Sequence, residues 1–143
     1  MSDRVPVTGL SLAYALEGEA LLAALSVRAR PGERPQELLF DLGLLSSRDF
    51  ALELAVLSGT PYLGLRGFLV DERLLLYLPL ALALTERVCP LVLVGDSLKI
   101  ASAFLEPDLT SVRARFPRLD LDIVLAPRDE IIEALRDVSY AAR

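Results

Sequence analysis

The run from Leu74 to Leu84 is the longest apolar stretch in the chain, and Pro79 stands in its middle. A membrane span needs about 20 such residues in one helix. A proline inside a helix removes a backbone hydrogen bond and clashes with the preceding turn. The run therefore reads as a buried core segment split into two short helices. Asp71 caps the first, which extends through Leu78, and Pro79 starts the second. With 53% hydrophobic and 24% charged residues in 143, disorder is excluded. A chain of this length buries a core without metal or disulfide staples. Its single cysteine, Cys89, rules out an internal disulfide and suits a reducing compartment. Asp3 and Arg4 precede no long apolar stretch, and Glu17 and Glu19 interrupt the candidate, so no secretory signal is read there.

Proline and glycine punctuate the rest. Before Pro31-Gly32-Glu33, residues Ala20 to Arg30 read as helix, with Leu21, Leu22 and Leu25 at helical spacing. Pro35 starts a short helix carrying Leu38, Leu39 and Leu42, and Gly43 ends it. Ser46 and Asp49 have capping-box spacing for the next helix, whose expected buried stripe is Phe50, Leu54 and Leu57, with Gly59 closing it. Pro61 to Val70 reads as an extended connector. Beyond Cys89-Pro90, Leu91–Val94 and Leu98–Phe104 are β-prone runs joined by the hairpin signal Gly95-Asp96-Ser97. Pro107 opens a helix with Leu109, Val112 and Phe116 on one face. Arg118 to Leu125 alternates, with Leu119, Leu121, Ile123 and Leu125 inward and Asp120 and Asp122 outward. Pro127 starts a last helix with Asp129 and Glu130 in its first turn and a buried stripe of Ile131, Leu135 and Val138. The expected fold is α+β. A helical subdomain spans residues 1–60, and a small α/β subdomain of order β-β-α-β-α spans 61–143.

The chemistry is sparse. No histidine is present, which removes the commonest general base, the usual triads and most zinc sites. No P-loop pattern occurs. Gly95-Asp96-Ser97-Leu98 resembles the GDSL hydrolase motif, but its serine has no histidine to take the proton, and a turn is the better reading. Asp120 and Asp122 read as a solvated strand face. Cys89, beside a proline in apolar surroundings, reads as a buried inert thiol. A net charge of −5 argues against general nucleic-acid binding. Lys99 is the only lysine among the cations. Arginine suits planar anionic partners, although a GC-rich genome or a warm habitat gives the same bias. Two arginine groups, Arg28-Arg30-Arg34 and Arg113-Arg115-Arg118, are candidate anion sites, with solvent-facing ends and loops as the plainer reading.

From about Pro35 to Ala142 the chain resembles the N-terminal domain of type II secretion and type IV pilus assembly ATPases. The residues carrying this occur in order: Leu38 to Ser46 as the family's opening, Gly59-Thr60-Pro61-Tyr62-Leu63 as its connector, Leu76-Tyr77-Leu78-Pro79 as its helix break, Val88-Cys89-Pro90-Leu91 as its strand start, Leu98 to Pro107, and Asp129-Glu130-Ile131 at the final helix. The resemblance implies a helical part followed by a small α/β part. It also implies docking on cytoplasmic parts of inner-membrane assembly proteins, and in some members binding of cyclic di-GMP through tandem helical motifs. Arg34, Leu39, Gly43, Leu44, Leu45, Phe50 and Leu54 match the second copy of that motif. Pro35 and Gln36 stand where it has leucine and glycine, and Leu57 stands at its closing glutamine. In the first copy Val5 and Tyr14 hold the arginine and glycine positions.

The expectation is a non-catalytic adaptor or regulatory domain that docks a protein partner of secretion or pilus-type machinery. No cofactor, metal, nucleic-acid partner or membrane insertion is expected. The expected place is the cytoplasm, with recruitment to the inner membrane through the partner. The alternative is a cyclic di-GMP sensor centred on Arg34 and the Gly43 turn. The motor that follows in such ATPases is not in the chain, which reads as a free-standing relative or an excised domain, and Met1 favours the first.

Overall fold

A computed structural model describes residues 34–141. The expected helix Ala20–Arg30 and the first motif copy around Val5 and Tyr14 lie outside the described residues.

Helix α1, Pro35–Asp41, starts with its proline where a missing N–H costs nothing. It ends in a Schellman motif. Gly43 adopts φ 75°, its N–H donates to the Phe40 carbonyl at 3.0 Å, and the Leu44 N–H donates to the Leu39 carbonyl at 2.9 Å. Helix α2, Ser47–Ser58, is capped by the Ser46 hydroxyl accepting from the Asp49 N–H at 3.3 Å, and Gly59 closes it in the left-handed region. The expected stripe on α2 needs correction. Ser47, Ala51 and Glu53 are the buried residues, Phe50 and Leu54 are half-buried, and Leu57 is exposed. The small Ser47 and Ala51 let α2 lie close against its neighbours, with Phe50 packed at the edge of the core and Leu57 left outside.

The connector after α2 runs extended beside the sheet. Leu63 donates to the Leu125 carbonyl and Leu125 to the Pro61 carbonyl, each at 2.8 Å, which makes a parallel bridge at Tyr62. Asp71 then caps, as expected, but the segment it caps is a single 3-10 turn, Glu72–Leu76. Pro79 ends that segment and precedes helix α3, Leu80–Glu86. Arg87 closes α3 at φ 57°, the only non-glycine residue with positive φ among the described residues.

Strands β1 (Val88–Val94) and β2 (Ser97–Ser102) form an antiparallel hairpin through Gly95-Asp96, with Gly95 at φ 60°. Pro90 is tolerated inside β1 because that strand is an edge, and the register slips between Pro90 and Val92. Helix α4, Thr110–Arg115, crosses back to β3, Asp120–Leu125, which pairs parallel to β2. Helix α5, Arg128–Ala141, ends the described chain. The three-stranded sheet has the order β1-β2-β3, so the predicted β-β-α-β-α succession is the observed one.

One apolar cluster joins these elements, from Phe40 on α1 through Leu78, Leu98 and Ile100 to Ile131 and Leu135 on α5. Near Val88, Ser102 and Leu125 the sheet is buried on both faces. At the hairpin end one face is bare, with Val92 and Val94 exposed beside the Lys99–Asp122 ion pair at 3.5 Å. Leu98 is fully buried, whereas Leu69 is 80% exposed. Leu98→Ala should therefore lower the unfolding free energy by about 2–5 kcal/mol. Leu69→Ala should change it by less than about 0.5 kcal/mol, both read from urea unfolding midpoints.

Candidate functional site

Arg34 precedes α1, and its side chain turns inward. Its Nη2 donates to Glu86 Oε1 at 3.1 Å, its Nη1 lies 3.7 Å from Glu37 Oε2, and its guanidinium sits 4.4 Å from the Phe104 ring centre. Phe104 stacks edge-on with Phe50 at 6.0 Å, and Phe50 with Phe40 at 5.5 Å. The Phe40 ring carries the guanidinium of Arg128 at 4.9 Å. Both ends of this row return to Glu37, since Arg128 Nη1 donates to its Oε1 at 3.2 Å. The result is a closed circuit of cation, three rings, cation and carboxylate.

Glu37 is the centre of this circuit. It is only 7% exposed, and Oε1 also accepts from Arg87 Nε at 2.9 Å. Arg87 gives a second hydrogen bond to the Leu84 carbonyl at 2.9 Å, which helps hold its left-handed backbone. Arg128 reaches Asp41 at 3.0 Å and Asp129 at 2.8 Å. Burial pulls the Arg128 pKa down, but hydrogen bonds to Asp129, Asp41 and Glu37 outweigh it and the net shift is upward. Glu86 accepts a further bond from the Asp108 N–H at 2.7 Å.

The residues singled out in the sequence divide between this circuit and the surface. Arg34 and Phe50 belong to it. Leu45 packs half-buried against the core, and Leu39 and Leu54 are half-buried. Gly43 and Leu44 are exposed. A Cβ on Gly43 would meet nothing within 4 Å, so its role is the positive φ that ends α1 rather than room for a ligand. Sequence reasoning missed Glu37, Arg87, Arg128, Phe40 and Phe104. Only Glu37 carries a local signal, its spacing of three from Arg34 at the start of α1. Arg128 lies 91 residues from Glu37, and nothing local marks the pair.

The other chemical candidates lie on the sheet. Ser97 begins β2 at the hairpin. Cys89 is fully buried in β1 and desolvation pushes its thiol up to about 12. Among the described residues no group of His, Cys, Asp and Glu side chains is arranged to hold a metal ion, and no helix is long and apolar enough to cross a membrane. Asp120 and Asp122 stand exposed on β3, as expected.

The MshEN domain matches residues 58–143. The chain belongs to the MshEN family. This family forms the N-terminal domain of secretion and pilus ATPases, in agreement with the resemblance read from the sequence. The match begins at Ser58, so Arg34 through Leu54 lie outside it. Among solved structures, the N-terminal domain of XpsE is similar at 24% identity and TM-score 0.61, covering 95% of this chain and 98% of that one. A second crystal form of that domain gives 20% identity, TM-score 0.58 and coverage of 94% and 96%. These two likenesses show the fold. MshE, solved with cdg (cyclic di-GMP), is similar at 27% identity and TM-score 0.54, covering 94% of this chain and 99% of that one. No curated protein sequence matches the chain.

Two outcomes follow for this MshEN domain. Glu37→Gln leaves Arg87 and Arg128 facing a neutral amide in a largely buried place. Breaking a buried pair costs about 3–5 kcal/mol, and the lower end is expected because Arg34 and Arg87 keep 24% and 28% side-chain exposure. Urea unfolding measures it. For Cys89, raising the thiol from the ordinary 9.0 to about 12 cuts its thiolate fraction at pH 8 about a thousandfold. Ellman's reagent should leave the native protein unlabelled and react at once in denaturant.

Proposed function

We propose that this MshEN domain is a non-catalytic docking module for a protein partner of bacterial secretion or pilus-type machinery. The partner is the cytoplasmic part of an inner-membrane assembly protein, which recruits the domain to the inner membrane from the cytoplasm. In this reading residues 1–60 and 61–143 act as two subdomains.

The observation that carries the proposal is the inward placement of Arg34. A phosphate-binding arginine needs free donors, and here the guanidinium is held by Glu86, Glu37 and Phe104. The absence of histidine and the buried thiol of Cys89 support a role without chemistry of its own. A second reading, a cyclic di-GMP sensor, draws support from the likeness to MshE solved with cdg. It requires Arg34 to leave both carboxylates when the nucleotide arrives.

Calorimetric titration with cyclic di-GMP at low and moderate salt separates the two. The docking reading expects no saturable heat, together with retention of the domain by the immobilised cytoplasmic part of the assembly protein. A micromolar Kd, about −8 kcal/mol, lost in Arg34→Ala, would replace docking with sensing.

A further inference from the structure

At the hairpin end of the sheet, far along β1 and β2 from the Glu37 circuit, a groove of about 340 Å³ opens to solvent. Its floor is apolar and half-buried: Tyr77 after the 3-10 turn, Leu93 on β1, and Phe116 and Leu119 between α4 and β3. Its rim carries Arg115 and Arg118, both exposed.

The groove is built rather than incidental. The Tyr77 and Phe116 rings pack at 5.0 Å and 60°. The Asp120 N–H donates to the Asp96 carbonyl at 2.7 Å, tying the start of β3 to the hairpin turn, and the Leu119 N–H donates to the Phe116 carbonyl at 3.0 Å. The Arg115 guanidinium lies 5.5 Å from the Phe116 ring centre, which holds it over the groove. Neither Arg115 nor Arg118 makes an ion pair with any described residue, whereas Arg34, Arg87 and Arg128 are all held by carboxylates inside the molecule. Asp96 is the one acidic residue lining the groove. Asp120 and Asp122 alternate with Leu119 and Leu121 and so leave β3 on its other face.

The geometry points to this groove as the docking surface for an acidic peptide segment of a protein partner, anchored by one bulky apolar side chain. This rests on the docking reading above and gives it a place. Charge complementarity selects the partner: two exposed arginines with no ion pair to any described residue attract a segment rich in Asp and Glu, even on a chain of net charge −5. An apolar centre with a charged rim is the usual anatomy of a protein contact. The size selects a side chain rather than a nucleotide. Small-molecule sites run from about 300 to 1,000 Å³ and enclose most of their ligand, while this groove is at the bottom of that range and open.

The test is a titration of the isotope-labelled full chain, followed by backbone amide NMR shifts. The probe is an acidic heptapeptide of Asp and Glu with one central phenylalanine. Saturable shifts clustered on Tyr77, Leu93, Asp96 and Leu119 are expected. Affinity should fall about tenfold or more when Arg115→Glu and Arg118→Glu are combined, and similarly when the peptide phenylalanine becomes alanine. Since both arginines are exposed, the double variant should keep the wild-type urea midpoint; if it does not, Arg115→Gln with Arg118→Gln replaces it. No saturable shift at millimolar peptide, shifts elsewhere, or an affinity indifferent to charge reversal would overturn the proposal. So would inorganic pyrophosphate saturating the same amides and displacing the peptide, which marks a small-anion site. Retention on the immobilised assembly protein is measured in parallel. If the double variant is retained like wild type, docking stands and this surface is wrong. If neither protein is retained, the docking reading itself fails.

Discussion

Glu37 sets the arrangement of the molecule. Its carboxylate lies on the inner face of α1, yet the groups it accepts from come from the end of α3 and the start of α5. Three separate helical ends are therefore fixed on one carboxylate, with both accepted bonds on Oε1. A buried carboxylate without partners is intolerable, so once the apolar cluster around Phe40 forms, Arg87 and Arg128 have to be present. This explains why Arg87 accepts a left-handed backbone that costs an L-residue roughly 1–2 kcal/mol. A glycine there would relieve the strain and remove the guanidinium. The same residue anchors the sheet, since its carbonyl accepts from the Ala103 N–H at 3.0 Å.

The three phenylalanines complete what the charges begin. Arg34 and Arg128 each put a flat guanidinium on a ring, which recovers part of the hydration lost on burial. Lysine would not serve, because it has neither the plane to stack nor the fork to divide between two carboxylates. The arginine bias of the chain thus has a structural use at these positions, whatever else produced it. It also bears on Arg34. A side chain with a ring beneath it and two carboxylates beside it is part of the fold, and an anion has to compete with both.

Most of the architecture was legible because it is written locally. Pro35, Ser46, Gly59, Asp71, Gly95 and Pro127 each state a turn or a helix end through backbone chemistry, and the structure honours each. The alternation from Leu119 to Leu125 likewise names its own faces. The departures occur where tertiary packing overrides a pattern. On α2 the stripe of Phe50, Leu54 and Leu57 has perfect spacing, yet the small side chains of Ser47 and Ala51 decide which face approaches the rest. The 3-10 turn before Pro79 is shorter than its apolar run suggests, because Leu74 and Leu78 must reach the core while Leu76 faces out. The Glu37 circuit was illegible for a different reason. Its partners come from α1, α2, α3, α5 and the segment after β2, and no periodicity links residues that only the fold brings together.

Two groups of arginines, Arg34, Arg87 and Arg128 in one and Arg115 and Arg118 in the other, lie toward opposite ends of one sheet, and burial separates them. Where helices cover both faces, around Val88, Ser102 and Leu125, the guanidiniums are neutralised internally, and any external anion would have to displace a carboxylate. At the hairpin end one face of the sheet is bare and the cover on the other thins to Tyr77 and Phe116, so Arg115 and Arg118 stay solvated, with no ion pair to any described residue. Solvated charge costs little to keep and little to redirect, whereas the buried charge is committed to holding α1 against the sheet. A partner that enters the groove therefore meets Arg115 and Arg118 at the hairpin end, although the sequence motif that first draws attention lies at the other.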